Sequence, residues 1–419
     1  MESYERYYLK NNPFPENPTV EPFSSETGVN QDIRTNGEIF CEPVSKKEMT
    51  SLSSKLASRT NLIYVSGCKF EKGTGKSALV VHEWRRLRQN PNTTSTYVKC
   101  KRTDKPSDLC GIIISRWHSE NYLWNALKKL LSEYSRKSND LRLTPESVET
   151  MFQEYSAPPE TVSLALYTHY TSPEALSKNF SKWLSDAKGV SKDVTYYWAY
   201  SYLTHPDGIL SAFGVSKERK FDRIAVLGDL LSIMTAGGYE QHYIFLDQLE
   251  DVIMAVPSGK IGGFCLDLRT MLVKVSGHAV VTCTLHPDSE TKLDTPAAEQ
   301  LTSLAPLNTL HRVDVIELGF QGDEALLLAT EYLKRFRTSQ PPTDTYPFEP
   351  EALRYICYLK QGNKREYLQI LHSCLKYGAL SGADRISLDF ILKNPTDTIG
   401  QEIDQEGLKK FKEEGMKNA

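Results

Sequence analysis

Short apolar runs bounded by turn residues alternate along this chain with stretches of helical period. Asn61-Leu-Ile-Tyr-Val-Ser66 reads as a buried strand, and the run KSALVVHEWRRLRQ at 76–89 as an amphipathic helix stopped by Asn90-Pro91. Ser95–Cys100 reads as a second strand, and strand signals resume at His242–Asp247, Ala279–Thr284 and Val313–Leu318. Five apolar strands with helices between them predict an α/β fold, a parallel sheet covered on both faces.

Between about 105 and 240 the period is helical, with punctuation at Pro158-Pro159, Pro173 and Pro206, so a large helical insertion interrupts the α/β domain. Its aromatic residues (Trp117, Trp124, Trp183, Trp198 and the tyrosines 196, 197, 200 and 202) read first as core and second as a stacking surface for nucleic acid. Residues 1–45 are rich in Pro, Asn and Ser and predict an extended arm; 46–58 reads as a helix. Helical patterns at 322–337, 349–360 and 363–377, with a short piece at 385–392, predict a small helical domain over 319–400 after an α/β domain spanning 46–318. The charged residues 401–419 read as a tail, either a solvated helix or frayed.

Length and composition narrow this picture. At 419 residues the chain exceeds what one core holds. Without a run near the ~18 apolar residues of a membrane span, or a basic-then-apolar N-terminal segment, it reads as soluble and cytoplasmic, with no membrane partner. Eight cysteines without a C-x-x-C pair argue against a zinc site or a disulfide framework and for buried thiols. A net charge of −3 does not favour nucleic acid in bulk, but Arg85–Arg88, Lys99–Arg102 and Lys334–Arg337 are local basic clusters, read as phosphate contacts or, more commonly, as solvated faces.

The chemistry concentrates after the first strand. Gly73-Thr74-Gly75-Lys76-Ser77-Ala78 is a Gly-rich turn leading into a helix, the arrangement that offers closely spaced backbone N–H donors, a helix N-terminus and a cation to a phosphate chain. There Lys76 reaches the β and γ phosphates and the Ser77 hydroxyl ligates Mg²⁺. The strict phosphate-loop spacing places glycine where Phe70 stands. Asp247, ending a buried strand, is the carboxylate for the Mg²⁺ shell, and Gln248 beside it can orient water without taking its proton. Glu250 is the general-base candidate if the strand unwinds at Gln248, and otherwise a helix-terminal carboxylate. Thr284, near the end of the next strand, is a γ-phosphate contact or a strand-end cap. Arg365 starts a helix in the last domain, from which it can reach toward nucleotide. Arg312 is either a residue offered to a neighbouring subunit's nucleotide or a solvated surface cation.

In order and spacing these features resemble AAA+ P-loop ATPases, on the replication-initiator and transposition-regulator side of that superfamily. Gly73–Ser77 corresponds to Walker A, Phe245-Leu-Asp247-Gln248 to Walker B, Thr284 to sensor 1, and Gly362-Asn-Lys-Arg365 to sensor 2. The opening Tyr7-Tyr-Leu-Lys-Asn-Asn-Pro-Phe14 resembles the arm of ExeA-like members. Weaker echoes are of phage-exclusion ATP-binding proteins, around 224–250, and of STAND signalling ATPases, at Asp247-Gln-Leu-Glu250. The likeness implies ATP and Mg²⁺ held between an α/β domain and a helical lid, with assembly into homo-oligomers or partner-protein complexes, often on DNA. Two positions depart from the family pattern: Phe70, and Gln248 where most members carry Glu. Both touch catalysis more than binding, so a nucleotide-dependent switch that hydrolyses slowly or not at all is the second reading.

Overall fold

The computed structural model describes residues 4–23, 30–67, 73–137, 143–146, 148–149, 172–214, 221–315 and 322–417. In chain order its elements begin with α1 (Lys46–Ala57), β1 (Leu62–Gly67), α2 (Lys76–Arg88), β2 (Thr93–Lys99), α3 (Pro106–Ser119), α4 (Tyr122–Lys137), α5 (Pro173–Lys188), α6 (Lys192–Thr204), α7 (Gly208–Ala212) and α8 (Arg223–Ala236). They continue with β3 (Gln241–Asp247), α9 (Leu249–Ala255), α10 (Ile261–Val275), β4 (Ala279–Leu285), α11 (Pro287–Leu293), α12 (Glu299–Thr302), β5 (Arg312–Val315), α13 (Asp323–Phe336), α14 (Pro350–Leu359), α15 (Lys364–Ser381), α16 (Leu388–Lys393), α17 (Pro395–Ile399) and α18 (Gln405–Lys417).

The five strands form one all-parallel sheet in the order β2-β3-β4-β1-β5, so the α/β fold anticipated from the apolar runs is present. Tyr97 of β2 stands beside Phe245 of β3, which stands beside Thr282 of β4, and one step on Val98, Leu246 and Cys283 make the matching row on the other face. Tyr243, Ile244, Phe245 and Leu246 are all buried, which is why β3 reads as a continuous apolar run rather than an alternating one. β2 is polar by composition yet buried, because its threonines find partners: Thr96 Oγ1 accepts from Trp117 Nε1 at 2.9 Å. The fifth strand is described only to Val315; residues 316–318 lie outside the described residues.

The chain divides into two compact units: Met1–Ser54, Val65–Glu83 and Val313–Ala419 in the first, and Lys55–Tyr64 with Trp84–Arg312 in the second. In the second unit every named element between β2 and β3 is helical, α3 to α8. Asp222 caps α8, its carboxylate accepting from Ile224 N–H at 3.1 Å, and α8 is apolar nearly all round because it is buried nearly all round. Gly228 on α8 is required by close approach: a Cβ there would stand 2.6 Å from the Lys274 carbonyl oxygen of α10. Trp117, Trp124, Trp198 and Tyr202 are fully buried in this core, while Tyr200 is the most exposed of the group at 36%. The aromatic content of this region is therefore spent mainly on packing.

In the first unit the Pro- and Asn-rich arm is held by specific contacts. Tyr7, Leu9 and Phe14 are fully buried among α13, α14 and α15, and Tyr7 Oη donates to the Ala383 carbonyl at 2.7 Å. Asn12 Nδ2 donates to His372 O at 3.0 Å, and His372 Nδ1 meets Phe14 O at 2.8 Å. The charged tail is anchored as well: Phe411 of α18 packs on Tyr355 and Tyr358 with ring centroids 5.3 and 5.4 Å apart. Its periodic Leu408 and Phe411 give the otherwise polar helix one face to dock. The seven described cysteines are buried thiols. Among the described residues no helix is long and apolar enough to cross a membrane.

Candidate functional site

In the first unit, β1 ends at Gly67, residues 68–72 (with Phe70) lie outside the described residues, and the chain re-enters at Gly73. Gly73 and Gly75 have φ of +91° and +98°, values at which any side chain is strained. Alternating such residues with Thr74 turns the backbone sharply before α2 starts at Lys76. The N–H groups of a helix's first turn have no intrahelical partner, and α2 carries no acidic residue in that turn to compete for them. Lys76 is 6% exposed. Thr74 is 2% exposed, and among the described residues its hydroxyl has no hydrogen-bond partner, a cost that a ligand oxygen would relieve.

The start of α15 lies against this turn. Asn363 caps α15, its Oδ1 accepting from Arg365 N–H at 3.1 Å and Glu366 N–H at 3.2 Å. Arg365 N–H also donates to the Gly73 carbonyl at 3.3 Å. A Cβ on Gly73 would lie 2.2 Å from Asn363 Oδ1, and one on Gly75 would lie 3.7 Å from Lys364 Nζ. Arg365 thus reaches the turn through its backbone, its buried Nε making no hydrogen bond among the described residues. The side chain that comes over Gly75 belongs to Lys364.

In the second unit three adjacent strands converge on Asp247, which is 1% exposed. Tyr97 Oη donates to Asp247 Oδ2 at 2.6 Å. Thr284 Oγ1 stands 3.1 Å from Asp247 Oδ1 and 2.7 Å from Glu250 Oε2, so its single proton serves one carboxylate at a time, and the shorter contact favours Glu250. Gln248 is left-handed at φ 61°, which breaks β3 from α9 and lets Glu250 fold back to Thr284. That conformation costs of order 1–3 kcal/mol. The Gln248 N–H offsets part of it, meeting Thr284 Oγ1 at 2.7 Å and Asp247 Oδ1 at 3.0 Å. The surroundings are dry: burial, and then the Asp247 charge, push the Cys100 thiol well above its usual range.

Other candidate residues take local partners. Arg312 Nη1 pairs with Glu290 Oε2 at 2.6 Å, with side chains only 26% and 15% exposed, so its guanidinium is engaged within its own chain. His286 caps α11, and Thr282 is fully buried with a hydroxyl that has no partner among the described residues. Of the basic clusters, Arg88 lies over the Trp84 ring at 4.9 Å and Lys334 meets Glu331 at 3.4 Å.

Tyr97, Asn363 and Lys364 are absent from the sequence-based set of site residues. Asn363 had a usable signal, a helix-capping Asn with Glu366 three residues on. Tyr97 had none, because its contact depends on which strand lies beside β3. No protein-family model, curated protein or solved structure matches this chain.

Proposed function

We propose that this protein binds ATP with Mg²⁺ as an ATPase of AAA+ type, its nucleotide state controlling assembly with further copies or partner proteins, on DNA or off it. The observation that carries the reading is the turn at Gly73–Gly75, two positive-φ glycines around a buried Thr74 hydroxyl without a partner among the described residues, running into α2 at the buried Lys76. Backbone N–H groups of residues 73–78 would hold the phosphates, and Lys76 would neutralise the β and γ charges. Ser77, beside that turn, is an oxygen donor of the kind a hard divalent cation takes, as is Asp247 within its own unit, and Mg²⁺ would supply charge neutralisation on the phosphate oxygens.

For hydrolysis, Glu250 is the acceptor for the proton of an attacking water. Its Oε2 accepts from the Thr284 hydroxyl at 2.7 Å, a bond that stabilises the ionised carboxylate and lowers its basicity. Gln248 can orient water and cannot accept its proton. Gln248 at this position, and the lowered basicity of Glu250, favour the second reading, a switch that binds nucleotide and hydrolyses it slowly or not at all.

Thermal melting tests the proposal: nucleotide at 100 times its Kd stabilises a native state by about 2.7 kcal/mol. MgATP should raise the melting temperature of the wild type and leave Lys76→Ala unchanged; equal behaviour of the two proteins removes the assignment. Phosphate release that Glu250→Gln abolishes supports the ATPase, whereas retained nucleotide without release supports the switch.

A further inference from the structure

We infer that the outer face of α10, in the second unit, is a contact between two copies of this chain, the two helices running antiparallel about a two-fold axis at Thr270. The inner face of α10 belongs to its own core: Leu268, Met271, Leu272 and Val275 are buried, and the helix packs on α3 and α8. Outward it shows Leu266 at 47% exposure and Val273 at 53%, large apolar side chains left in water. Thr270 between them is exposed too, and its hydroxyl donates to the Leu266 carbonyl at 2.8 Å, so it needs no outside partner. One turn before Leu266, Gly263 has nothing within 4 Å of where a Cβ would stand. Asp267 and Lys274 are exposed on the opposite flank of the same face, and Asp267 has no ion pair among the described residues. Seven residues apart, these two charges are too distant to pair within one helix.

The occupant follows from the spacing. Residues rise about 1.5 Å each along a helix, so Leu266 lies about 6 Å before Thr270 and Val273 about 4.5 Å after it. On the other flank Asp267 lies about 4.5 Å before Thr270 and Lys274 about 6 Å after it. A two-fold axis at Thr270, perpendicular to the helix, reverses the axial direction and keeps each flank on its own side. It therefore sets Leu266 against the partner's Val273 and Asp267 against the partner's Lys274, each within about 1.5 Å of level. Both contacts occur twice, as an isologous interface requires. A parallel pair would instead turn the apolar flank of each helix onto the charged flank of the other. The face is thus complementary to itself, in apolarity and in charge, in one orientation. A 15-residue helix covers less than the roughly 800 Å² per partner of a standard interface, so the dimer is weak and concentration-dependent. No residue of the nucleotide reading takes part.

Sedimentation of the full chain without nucleotide, at concentrations up to roughly 0.1 mM, tests the contact. Wild type should pass from monomer to dimer across that range. Asp267→Lys turns two attractions into two repulsions and should weaken the dimer about ten-fold, as should Lys274→Glu. Mixing the two variants restores both pairs in a heterodimer and should return the wild-type affinity. Lys274 also lies near Asp229 of α8. Should Lys274→Glu melt early for that reason, Leu266→Asp, which sets a charge against the partner's Val273, takes its place and should abolish the dimer. Wild type that stays monomeric throughout leaves the face to a different partner and overturns the inference. A dimer that neither Asp267→Lys nor Leu266→Asp weakens overturns it as well, as does a mixture of folded charge variants that fails to associate. None of these outcomes bears on ATP binding, which is read separately.

Discussion

The Oδ1 of Asn363 lies 2.2 Å from where a Cβ on Gly73 would stand, so the capping residue of α15 occupies the space that only a glycine leaves open. Gly73 has two reasons to be glycine, this contact and its φ of +91°. Gly73→Ala should therefore lose of order 1–3 kcal/mol from backbone strain alone, and more from the clash with the cap. Denaturant unfolding checks the loss; a Gly73→Ala protein as stable as wild type contradicts the placement of Asn363.

Asn363→Ala opens that contact from the other side. Loss of the cap on the 18-residue α15 should cost about 1 kcal/mol. Asp at position 363 keeps an accepting oxygen and should retain most of it. Urea midpoints of the two variants separate the outcomes.

Lys364→Ala should weaken ATP binding more than Arg365→Ala does, since the ammonium of Lys364, and not the guanidinium of Arg365, comes over Gly75. Competition of each variant with a fluorescent ATP analogue reads the order directly. The reverse order would return the role to Arg365.

His242 makes stability depend on acid. Burial, followed by the His278 charge, lowers its pKa to about 3. Thr235 donates its hydroxyl proton to the Leu231 carbonyl, so its oxygen accepts from His242 Nε2–H at 3.0 Å, and Thr94 Oγ1 donates to Nδ1 at 2.8 Å. The folded state thus holds the neutral ring, while the unfolded chain protonates near pH 6.5. The unfolded state binds the extra proton, so stability is full above about pH 6.5 and falls as pH drops toward 3, by at most roughly 1.4 kcal/mol per unit. His242→Gln should flatten unfolding free energy against pH across that window. An unchanged slope would place the acid sensitivity elsewhere.

The Arg312–Glu290 pair gives a clean double-mutant cycle. With both side chains largely buried, a coupling of about 1 kcal/mol or more is expected, above that of an exposed pair. A role in a neighbouring subunit would instead show as reduced turnover in mixed assemblies of Arg312→Ala with wild type.

β1, β3 and β4 were legible because each is a short apolar run closed by turn residues, and that pattern also put Asp247 at the end of β3 and Lys76 at the start of α2. Their neighbours were not. Strand order and register are properties of distant pairing, so nothing in Ser95–Cys100 marked Tyr97 as lying within reach of Asp247. The left-handed Gln248 was equally hidden, because glutamine rarely adopts that conformation and does so here where its N–H finds Asp247 and Thr284. In Gly362-Asn-Lys-Arg365 the motif's position was legible, but the division of labour within it was not. Whether a side chain or the backbone faces the loop depends on the angle at which α15 starts.

The central claim is most directly tested by calorimetric titration of ATP into the purified chain in the presence of Mg²⁺, beside Lys76→Ala. The account predicts saturable binding at one site per chain by the wild type, weakened at least ten-fold in Lys76→Ala and weakened again when Mg²⁺ is removed. No heat of binding in the wild type, or equal affinity in both proteins, would contradict it.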